Sequence, residues 1–468
     1  MGTLTSLFNV SLSALQADQV ALNVTANNVA NQNTVGYTRE TVNFQSADAV
    51  TLNGVSQGGV TTGAGPVSQR DRILEQRVQQ QTQQQAQSST LQSSLEQIQN
   101  VFGLTSTATS TSSTAIGSAI DGFFNSLSSL TANPSDTATR QNVLTAANAL
   151  AQTFNSAASQ LNQISSGLNQ RVASIVGQIN SLASTIASLN QQIAGVSPNG
   201  DAGALEDQRQ SAITQLSQYI GLDQIATQQN GITLTTSSGE VLVAGDQAIP
   251  LSTTVVNGTT HILAGTSHND ITSSTTGGQL GGVLQARDQQ LPSFTTALDN
   301  LAYGIATQVN AQNQQGIDGS GNPGQAIFTI GSSASGAAAT ISVAISDPNA
   351  VAAAVVGEGT AGNDNAQALA NLSTANIVGG QTATSFYASL LSQIGTAAST
   401  ATDNSTSQQA SLTQLTTQRD SLSGVSLDQE ASNLTQYQRS YEAAAKVFSI
   451  VDSIMASAVN LGVQTSVS

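Results

Sequence analysis

The feature that most constrains this chain is a heptad stripe of apolar side chains at each of its ends. Near the N-terminus the apolar residues advance in alternating steps of four and three, interrupted at Gln19. The members of this N-terminal stripe are Phe8, Leu12, Leu15, Leu22, Ala26 and Val29. Near the C-terminus a second stripe repeats every seven residues, with further apolar residues at the alternate positions. The members of this C-terminal stripe are Leu427, Leu434, Tyr437, Tyr441, Ala444, Phe448, Val451, Met455 and Ala458. This spacing is typical of coiled-coil helices, so we expect the two terminal helices to pair with each other.

A narrow stripe of this kind buries little apolar surface for the number of residues that it orders. We therefore expect the terminal helices to become stably ordered only when copies of the chain, or another large surface, cover them.

The composition suits a subunit that packs against copies of itself. Charged residues make up only 8% of the 468 residues, and the formal net charge is −16. Helices with thinly charged faces can associate without burying unpaired charges. The eleven basic residues are scattered, which argues against a basic patch for nucleic acid or for an anionic membrane surface. The sequence has no Cys, so it forms neither a disulfide nor a thiolate metal site.

The sequence contains no recognisable secretory leader and no run of about 18 apolar residues. On these features alone we expect neither Sec-dependent export nor insertion into a membrane.

The turn after the first helix carries a motif that resembles a known family. Residues Asn27 to Arg39 read NNVANQNTVGYTR, which is similar to the N-terminal signature of the axial proteins of the bacterial flagellum (rod, hook and hook-associated proteins). The residues that carry the resemblance are Asn27, Asn28, Val29, Ala30, Asn31, Asn33, Thr34, Gly36, Tyr37 and Arg39. The segment Ser423 to Leu461 resembles the matching C-terminal signature, with Gln429 in place of a usual acidic residue.

Two internal segments narrow the choice within this family. Leu205 to Asp223 (LEDQRQSAITQLSQYIGLD) and Gly277 to Gly316 resemble segments of the hook-associated proteins at the hook–filament junction, and rod and hook proteins lack them. Hook-associated relatives often carry a larger second β domain in the region of Gly331 to Asn363, so we expect that domain to be trimmed here.

The resemblance implies a structural, non-enzymatic flagellar subunit that forms the junction between hook and filament and uses no cofactor. It implies export through the flagellar type III channel without cleavage and an extracellular location. The implied partners are copies of the chain in a ring or tube, the hook protein, the second hook–filament junction protein and a flagellar export chaperone, but no nucleic acid and no membrane. The implied assembly interface comprises Phe8, Leu12, Leu15, Leu22, Asn28, Val29, Asn31, Gly36, Tyr37, Arg39, Leu427, Leu434, Tyr437, Tyr441, Phe448, Val451 and Met455.

Most of the remaining sequence predicts helices. Periodic apolar positions predict them at Arg70–Phe102, Ala115–Leu130, Leu161–Ile193, Ala204–Ile220, Leu280–Gln314 and Ser385–Leu422. Pro134 suits the first turn of a helix, and Pro292 predicts a kink or a break. The helices at 70–102 and 385–422 share a polar middle, so we expect them to lie antiparallel.

Alternating residues predict a smaller β part. Strands are expected at Ile232–Thr236, Glu240–Ala244, Thr254–Val256 and His261–Ala264, and also at Ala326–Ile330 and Thr340–Ile345. Ser238-Gly239, Asn257-Gly258 and Asn53-Gly54 are two-residue hairpin signals.

The expected fold is mainly α with a smaller all-β part. A long antiparallel coiled coil or helical bundle is formed by both termini, and an antiparallel β domain is inserted into it. We assign 1–39 and 423–468 to the terminal coiled coil, and 40–221 and 280–422 to a helical rod with a short extended arm at 40–68. Residues 222–279 form the β domain, and 325–363 form the small, trimmed distal segment.

Catalytic and metal-binding motifs are not recognisable in the sequence. His261 and His268 are expected to face solvent, since nothing in the sequence forces a carboxylate such as Asp270 close to them. Asp318 begins a partial calcium-loop pattern, but Thr329 occupies the position of the bidentate Glu, so a plain turn is expected.

Two questions stay open at this point. The Asn side chains at 27–33 either cap the helix end or form hydrogen bonds between subunits. The functional alternatives are a hook or distal rod protein of the same family, and an exported adhesin with incidental coiled coils.

Overall fold

The computed structural model of the chain describes residues 2–34, 36–46, 50–52, 55–104, 115–196, 202–227, 230–265 and 267–464. Within these residues the α-helices are α1 (Gly2–Ala30), α2 (Arg72–Val101), α3 (Ala115–Ala132), α4 (Thr137–Val196), α5 (Ala204–Tyr219), α6 (Gly278–Gln285), α7 (Leu291–Gln315), α8 (Ala337–Thr340), α9 (Asp364–Asn371), α10 (Ala383–Ser423) and α11 (Leu427–Gln464).

The described strands are short and pair in an antiparallel manner. They are β1 (Glu40–Ser46), β2 (Val50–Leu52), β3 (Val55–Gln57), β4 (Val60–Ser68), β5 (Leu222–Ala226), β6 (Ile232–Thr236), β7 (Val241–Ala244), β8 (Gln247–Ala248), β9 (Ser252–Val256), β10 (Thr259–Ala264), β11 (Asn269–Asp270), β12 (Gly316–Ile317), β13 (Phe328–Thr329), β14 (Ser342–Val343) and β15 (Ala354–Val355). The predicted fold class, mainly α with a smaller antiparallel β part, is confirmed. The predicted domain boundaries stay a prediction.

The extended arm after α1 is a two-stranded ribbon. Strand β1 pairs with β4 from Glu40↔Ser68 to Ser46↔Val60, with an irregularity between Val42 and Phe44. Strands β2 and β3 pair with each other and flank Asn53-Gly54. The predicted hairpin turn itself lies outside the described residues.

The longest helix is α4, which has 60 residues and therefore spans about 90 Å. It contains the predicted heptad helix at 161–193, but it starts much earlier, at Thr137. Pro134 was expected in its first turn, and this prediction is wrong. The helix starts after Asp136, whose carboxylate accepts hydrogen bonds from the amides of Ala138 and Thr139 at 3.3 and 3.1 Å.

One apolar core follows α4 and extends to the other helices of the body. Leu161, Leu168 and Ile175 of α4 are buried in it, and Phe123 of α3 packs edge-on against Phe328 of β13 with ring centroids 5.5 Å apart. By length and hydropathy α4 is also a candidate to cross a membrane. Many of its apolar side chains, including Val172 and Ile179, are buried in this core.

Two small sheets follow α5. One has the strand order β5-β6-β7-β8 and the other β11-β10-β9. At the β9–β10 hairpin, Asn257 and Gly258 have φ of 51° and 79°, the left-handed conformations of a tight two-residue turn. Prediction from alternation missed β5, β8 and β11; the last two have only two residues each, too few to show a period.

The predicted interruption near Pro292 is confirmed. Residues Ala286–Gln290 form one π-helical turn between α6 and α7, and Pro292 lies in the first turn of α7. Proline has no amide hydrogen to donate, so it is tolerated at a helix start but disturbs the preceding hydrogen-bond ladder.

Helices α2 and α10 lie antiparallel, as expected. Gln81 donates a 3.0 Å hydrogen bond to the backbone oxygen of Gln408, while Glu75 near the start of α2 lies in the field of Arg419 near the end of α10. The polar middle of α2 is buried rather than solvent-facing, since Gln79 and Thr90 are both almost inaccessible.

The distal segment after α7 is held by side-chain amides. Asn313 donates to Gln325 O at 2.6 Å and accepts from the Ala352 amide at 2.9 Å. Strands β13 and β14 fall inside the predicted strands at 326–330 and 340–345 and pair with each other.

Candidate assembly interface

Helices α1 and α11 form a pair that joins the two ends of the chain. Phe8, near the start of α1, contacts Phe448 of α11 with ring centroids 4.5 Å apart. Asn28, near the end of α1, donates a 3.3 Å hydrogen bond to Glu430 Oε2 near the start of α11. The two contacts occur in opposite order along the helices, so the pair is antiparallel.

The C-terminal stripe lies on the more buried side of α11. Val451 is buried. The half-buried members are Leu434, Tyr437, Ala444, Phe448, Met455 and Ala458. The ring centroid of Tyr437 lies 5.9 Å from that of Phe44 on β1, so the arm covers part of this stripe. Leu427 and Tyr441 remain 48% and 38% exposed.

The N-terminal stripe does not form the buried side of α1. Leu12 and Val29 are each 38% exposed. The half-buried members are Phe8, Leu15 and Leu22. The buried residues of α1 are Ser11, Ala17, Asp18, Ala21, Val24, Thr25 and Asn28. They centre roughly 130° around the helix from the stripe, at 3.5 residues per turn. The predicted pairing of the two terminal helices is present, but it covers the N-terminal stripe only in part. The contribution of the stripe to an interface with other copies stays a prediction.

Asn28 organises the turn that follows α1. Its Nδ2 donates to the backbone oxygen of Glu40 at 2.8 Å, and its Oδ1 accepts from the Tyr37 hydroxyl at 2.9 Å and from the Glu40 amide at 3.0 Å. With the bond to Glu430, these contacts use both amide hydrogens and the oxygen. Gly36 has φ of 82°, a conformation that strongly favours glycine.

The neighbouring asparagines make local contacts. Asn31 Nδ2 donates to the backbone oxygen and to Oδ1 of Asn27, at 3.0 and 2.9 Å, which is the capping role, one of the two alternatives left open by the sequence. Asn27 and Asn31 also border a groove of about 910 Å³ between the turn and helices α4 and α5. Hydrogen bonding between subunits stays a prediction for Asn27, Asn31 and the exposed Asn33.

Arg39 connects the turn to the start of α11 and to the arm. Its Nε donates to Glu430 Oε1 at 2.7 Å. Its amide donates to Ser423 O and its carbonyl accepts from the Gln69 amide, both at 2.9 Å.

Arg70 joins the same turn to the helical body. Its Nη1 donates to Glu206 Oε2 at 2.9 Å, its Nη2 donates to Asp207 Oδ1, and its Nε lies 3.6 Å from Glu75 Oε2. Asp207 Oδ2 also accepts from the Thr38 amide at 3.0 Å. One buried charge cluster therefore links the motif turn, α2 and α5.

Burial and charge set the ionisation of this cluster. Burial alone would lower the pKa of Arg70, but the carboxylates of Glu75, Asp207 and Glu206 outweigh it and raise that pKa above its ordinary value. Burial also raises the pKa of the Tyr37 hydroxyl, and neighbouring carboxylates raise it further. Arg70 thus stays cationic and Tyr37 stays a hydrogen-bond donor at neutral pH.

The segment that begins with LEDQR also holds the four-stranded sheet. Arg209 donates to Asn190 Oδ1 at 2.9 Å and to Asn230 O at 2.7 Å, while Asn190 donates to Ile232 O at 2.9 Å and to Gly245 O at 2.7 Å. Burial lowers the pKa of Arg209 to about 10.

The glycine-rich start of α6 permits close helix packing. A β-carbon on Gly282 would lie 2.5 Å from Gln87 O and 2.8 Å from Thr90 Cβ of α2, and one on Gly278 would lie 2.3 Å from the Ile220 nitrogen. Both glycines are therefore required by contact with a neighbouring backbone.

At the two positions considered as metal sites in the sequence, the carboxylates of Asp270 and Asp318 form hydrogen bonds with groups of the same chain. His261 Nδ1 lies 2.6 Å from Asp270 Oδ2, because the β10–β11 pairing places the two together. The prediction that nothing holds a carboxylate near His261 is therefore wrong. Asp318 Oδ1 accepts from the amides of Ser320 and Asn322, both at 2.8 Å, as in the predicted plain turn. Among the described residues no three His, Cys, Asp or Glu side chains are grouped to hold a metal.

Sequence reasoning missed the charged partners in this region. Glu430 and Asp207 lie within the quoted family segments and Arg70 lies outside them, yet none of the three was predicted to contact the turn. The low number of charged residues in the sequence could have pointed to them. In a chain with 8% charged residues, a charge beside a family motif is a strong candidate for a specific ion pair.

Comparison with known proteins identifies the family of the chain. The family model described as the flagellar hook-associated protein FlgK helical domain matches residues 95–328. The flagella basal body rod protein model matches 8–38, and the flagellar basal body rod FlgEFG protein C-terminal model matches 417–461. Flagellar hook-associated protein 1 of Bacillus subtilis is 31% identical over 496 aligned positions, covering 96% of both chains. The chain belongs to the flagellar hook-associated protein 1 family.

Other members of the hook-associated protein 1 family are longer. The Escherichia coli protein is 29% identical over 343 residues, and the match spans 70% of this chain but only 60% of the relative. The structure of the flagellar hook junction protein FlgK from Burkholderia pseudomallei has a TM-score of 0.67 at 22% identity, covering 75% of this chain and all of the other. This likeness supports the fold assignment.

The matched ranges fall on the elements described above. In this hook-associated protein 1 family member, the rod-type models cover α1 with its turn and the end of α10 with α11. The two segments that match rod-type models are therefore the ones that meet at Asn28, Arg39 and Glu430.

Proposed function

We propose that the chain is a structural, non-enzymatic subunit of the bacterial flagellum that forms the junction between hook and filament. The observation that carries this proposal is the meeting of both family signatures in one antiparallel helix pair whose apolar N-terminal stripe is only partly covered, with Leu12 and Val29 each 38% exposed. A stripe such as Leu12, Leu15, Leu22 and Val29 is stable in water only when another surface covers it.

We propose copies of the same chain as the main covering surface, arranged in a ring or tube. Low charge on the helical faces favours this association, because few charges lose their water on contact. The residues proposed to contact neighbours are the stripe residues of α1 and the exposed Leu427 and Tyr441 of α11. The motif residues Asn28, Tyr37 and Arg39 act indirectly, by holding the pair in position.

The proposed sequence of events has three steps. The chain is exported as a largely unfolded polypeptide through the flagellar channel, with an export chaperone as partner before export. It then docks on the distal hook protein. Its terminal helices become fully ordered as neighbours bind, and the second junction protein binds next. The location is therefore extracellular, in the flagellum.

Electron microscopy of a deletion strain tests this function. We expect intact hooks without filaments and unpolymerised flagellin in the medium, with both defects reversed by the intact gene. Loss of the hooks would favour a hook or distal rod protein instead. Normal filaments would contradict any junction role and favour the adhesin alternative.

A further inference from the structure

The buried side of α1 contains a column of polar side chains at heptad spacing. Ser11, Asp18 and Thr25 follow one another every seven residues, and all three are buried. The apolar residues that directly follow two of them, Leu12 and Ala26, are exposed. In a coiled coil, a polar residue at a buried heptad position fixes how the helices pair but costs stability. The packing of α1 thus takes polar groups out of water and leaves apolar surface in it, and both are unfavourable.

Within this column, Asp18 has the least compensation for its burial. It is only 6% exposed, and its Oδ2 is buried without a hydrogen-bond partner among the described residues. It also forms no ion pair with any of them. The Ser11 hydroxyl, by contrast, donates to the Leu7 backbone oxygen at 2.9 Å. A carboxylate that loses its water without gaining hydrogen bonds or a cation opposes the packing that buries it.

The donors on the same helix pair are used elsewhere or face solvent. Asn28, on the same side of α1, donates its amide hydrogens to Glu40 O and Glu430 Oε2. The two basic residues of α11, Arg439 and Lys446, are exposed, and neither forms an ion pair with Asp18. The described part of the chain therefore offers Asp18 no group that offsets its burial.

We propose that the Asp18 carboxylate keeps the α1–α11 pair only marginally closed in the single chain. The contact of Phe8 with Phe448 and the hydrogen bond from Asn28 to Glu430 set the register of the pair. Asp18, which lies between these two contacts in the sequence, opposes the closure that they favour. This inference rests on the proposed function, because a terminal pair that opens readily is one that neighbours in the flagellum can still complete.

The first test is amide hydrogen exchange of α1 in the free chain. Asp18→Ala removes the carboxylate and leaves a side chain like those of the buried Ala17 and Ala21. Asn23→Ala, on the exposed side of α1, is the control for the gain in helix propensity. We expect α1 amides to exchange roughly tenfold more slowly in Asp18→Ala than in Asn23→Ala. Equal or faster exchange would overturn the inference.

The second test keeps the size of the side chain and removes only its charge. Asp18→Asn replaces the buried acid by its amide, and Glu442→Gln makes the same change at an exposed position of α11. We expect exchange of α1 amides to slow by about threefold or more in Asp18→Asn, because a neutral amide is less costly to bury than a carboxylate. Glu442→Gln should leave it unchanged. An equal effect of the two variants would assign the change to net charge and overturn the role of burial.

Both tests use the free chain and need no hook. Strong protection of α1 in the unaltered chain would also overturn the inference, because the pair would then be firmly closed in spite of Asp18. Failure of these exchange tests leaves the junction function standing. Failure of the unaltered chain to bind isolated hooks would instead overturn the proposed function, whatever the exchange of α1 shows.

Discussion

Arg39 and Glu430, which are 391 positions apart in the sequence, form an ion pair with 2.7 Å between Nε and Oε1. Glu430 is 1% exposed and also accepts from Asn28 at 3.3 Å. One buried carboxylate thus connects both family signatures. It fixes where α11 starts relative to the turn after α1.

Replacing Glu430 by Ala should loosen this connection. Removing one partner of a buried ion pair leaves the other without compensation, so we expect a cost of about 2 to 4 kcal/mol. The measurement is hydrogen exchange of the Arg39 amide, which donates to Ser423 O at 2.9 Å. It should exchange at least thirtyfold faster. Glu442→Ala, an exposed change on the same helix, serves as the control; an equal effect there would show that the ion pair has no special role.

Leu15→Asp should separate folding from assembly. Leu15 lies in the N-terminal stripe and is only half-buried in the single chain, so a charge there is tolerated in the free protein but becomes buried against a neighbour. We expect the two sheets of β5–β11 to keep their hydrogen-exchange protection while incorporation into flagella and motility are lost. Gln16→Asp, one residue further on and exposed, should retain motility. Motility retained in Leu15→Asp would count against the role of the stripe.

Two glycine substitutions should have opposite signs. In Gly282→Ala the new β-carbon would lie 2.5 Å from Gln87 O, so α6 and α2 must separate, at a cost of about 1 to 3 kcal/mol. Gly177 lies within α4, and a β-carbon there would meet nothing within 4 Å. Gly177→Ala should therefore stabilise by about 0.5 to 1 kcal/mol through helix propensity. Chemical denaturation compares the two. Destabilisation by Gly177→Ala would contradict the helix-propensity argument, and no destabilisation by Gly282→Ala would contradict the contact argument.

The three-stranded sheet should depend on pH through Asp270. Hydrogen bonds from the hydroxyl and amide of Thr272, with a smaller contribution from His261, lower the pKa of Asp270 below its ordinary value. A depressed carboxyl pKa contributes stability that is present above the ordinary value and is lost as pH falls through the lowered one. Thr272→Val should raise the pKa of Asp270 and move acid unfolding of β9–β11 to higher pH.

Carboxyl titration by NMR measures this change directly. Thr272→Ser keeps the hydroxyl and should leave the pKa of Asp270 low. An unchanged pKa in Thr272→Val would show that the hydroxyl contact is not its main cause.

Heptad spacing and turn chemistry predicted much of the fold. The 161–193 repeat lies inside α4, and Asn257-Gly258 forms the expected hairpin turn, because both patterns depend on local periodicity. Strands of two residues, such as β8, are too short to show alternating polar and apolar residues. They are recognised only by their hydrogen bonds to neighbouring strands. Pro134 does not begin α4, because the carboxylate of Asp136 caps the first amides of the helix and so places its start at Thr137, after the proline.

The interface was harder to predict than the fold. The stripe containing Leu12 and Val29 could be recognised in the sequence. Its spacing does not show whether the stripe packs on a helix of the same chain or on another copy. Ion pairs such as Arg70 with Asp207 join segments that are far apart in sequence, so no local pattern reveals them. Asp18 shows the limit most clearly, since a charged residue next to Gln19 looks like a surface position until its burial is known.

The claim that neighbouring copies complete the terminal helix pair is tested by amide hydrogen exchange of residues 5–30 and 432–458, in the free chain and in the chain bound to isolated hooks. Before binding, we expect exchange nearly as fast as in an unfolded chain, with α4 protected. After binding, we expect exchange at least a hundredfold slower in both terminal segments. Strong protection of both segments in the free chain, unchanged on hooks, would show that the pair is already complete without neighbours.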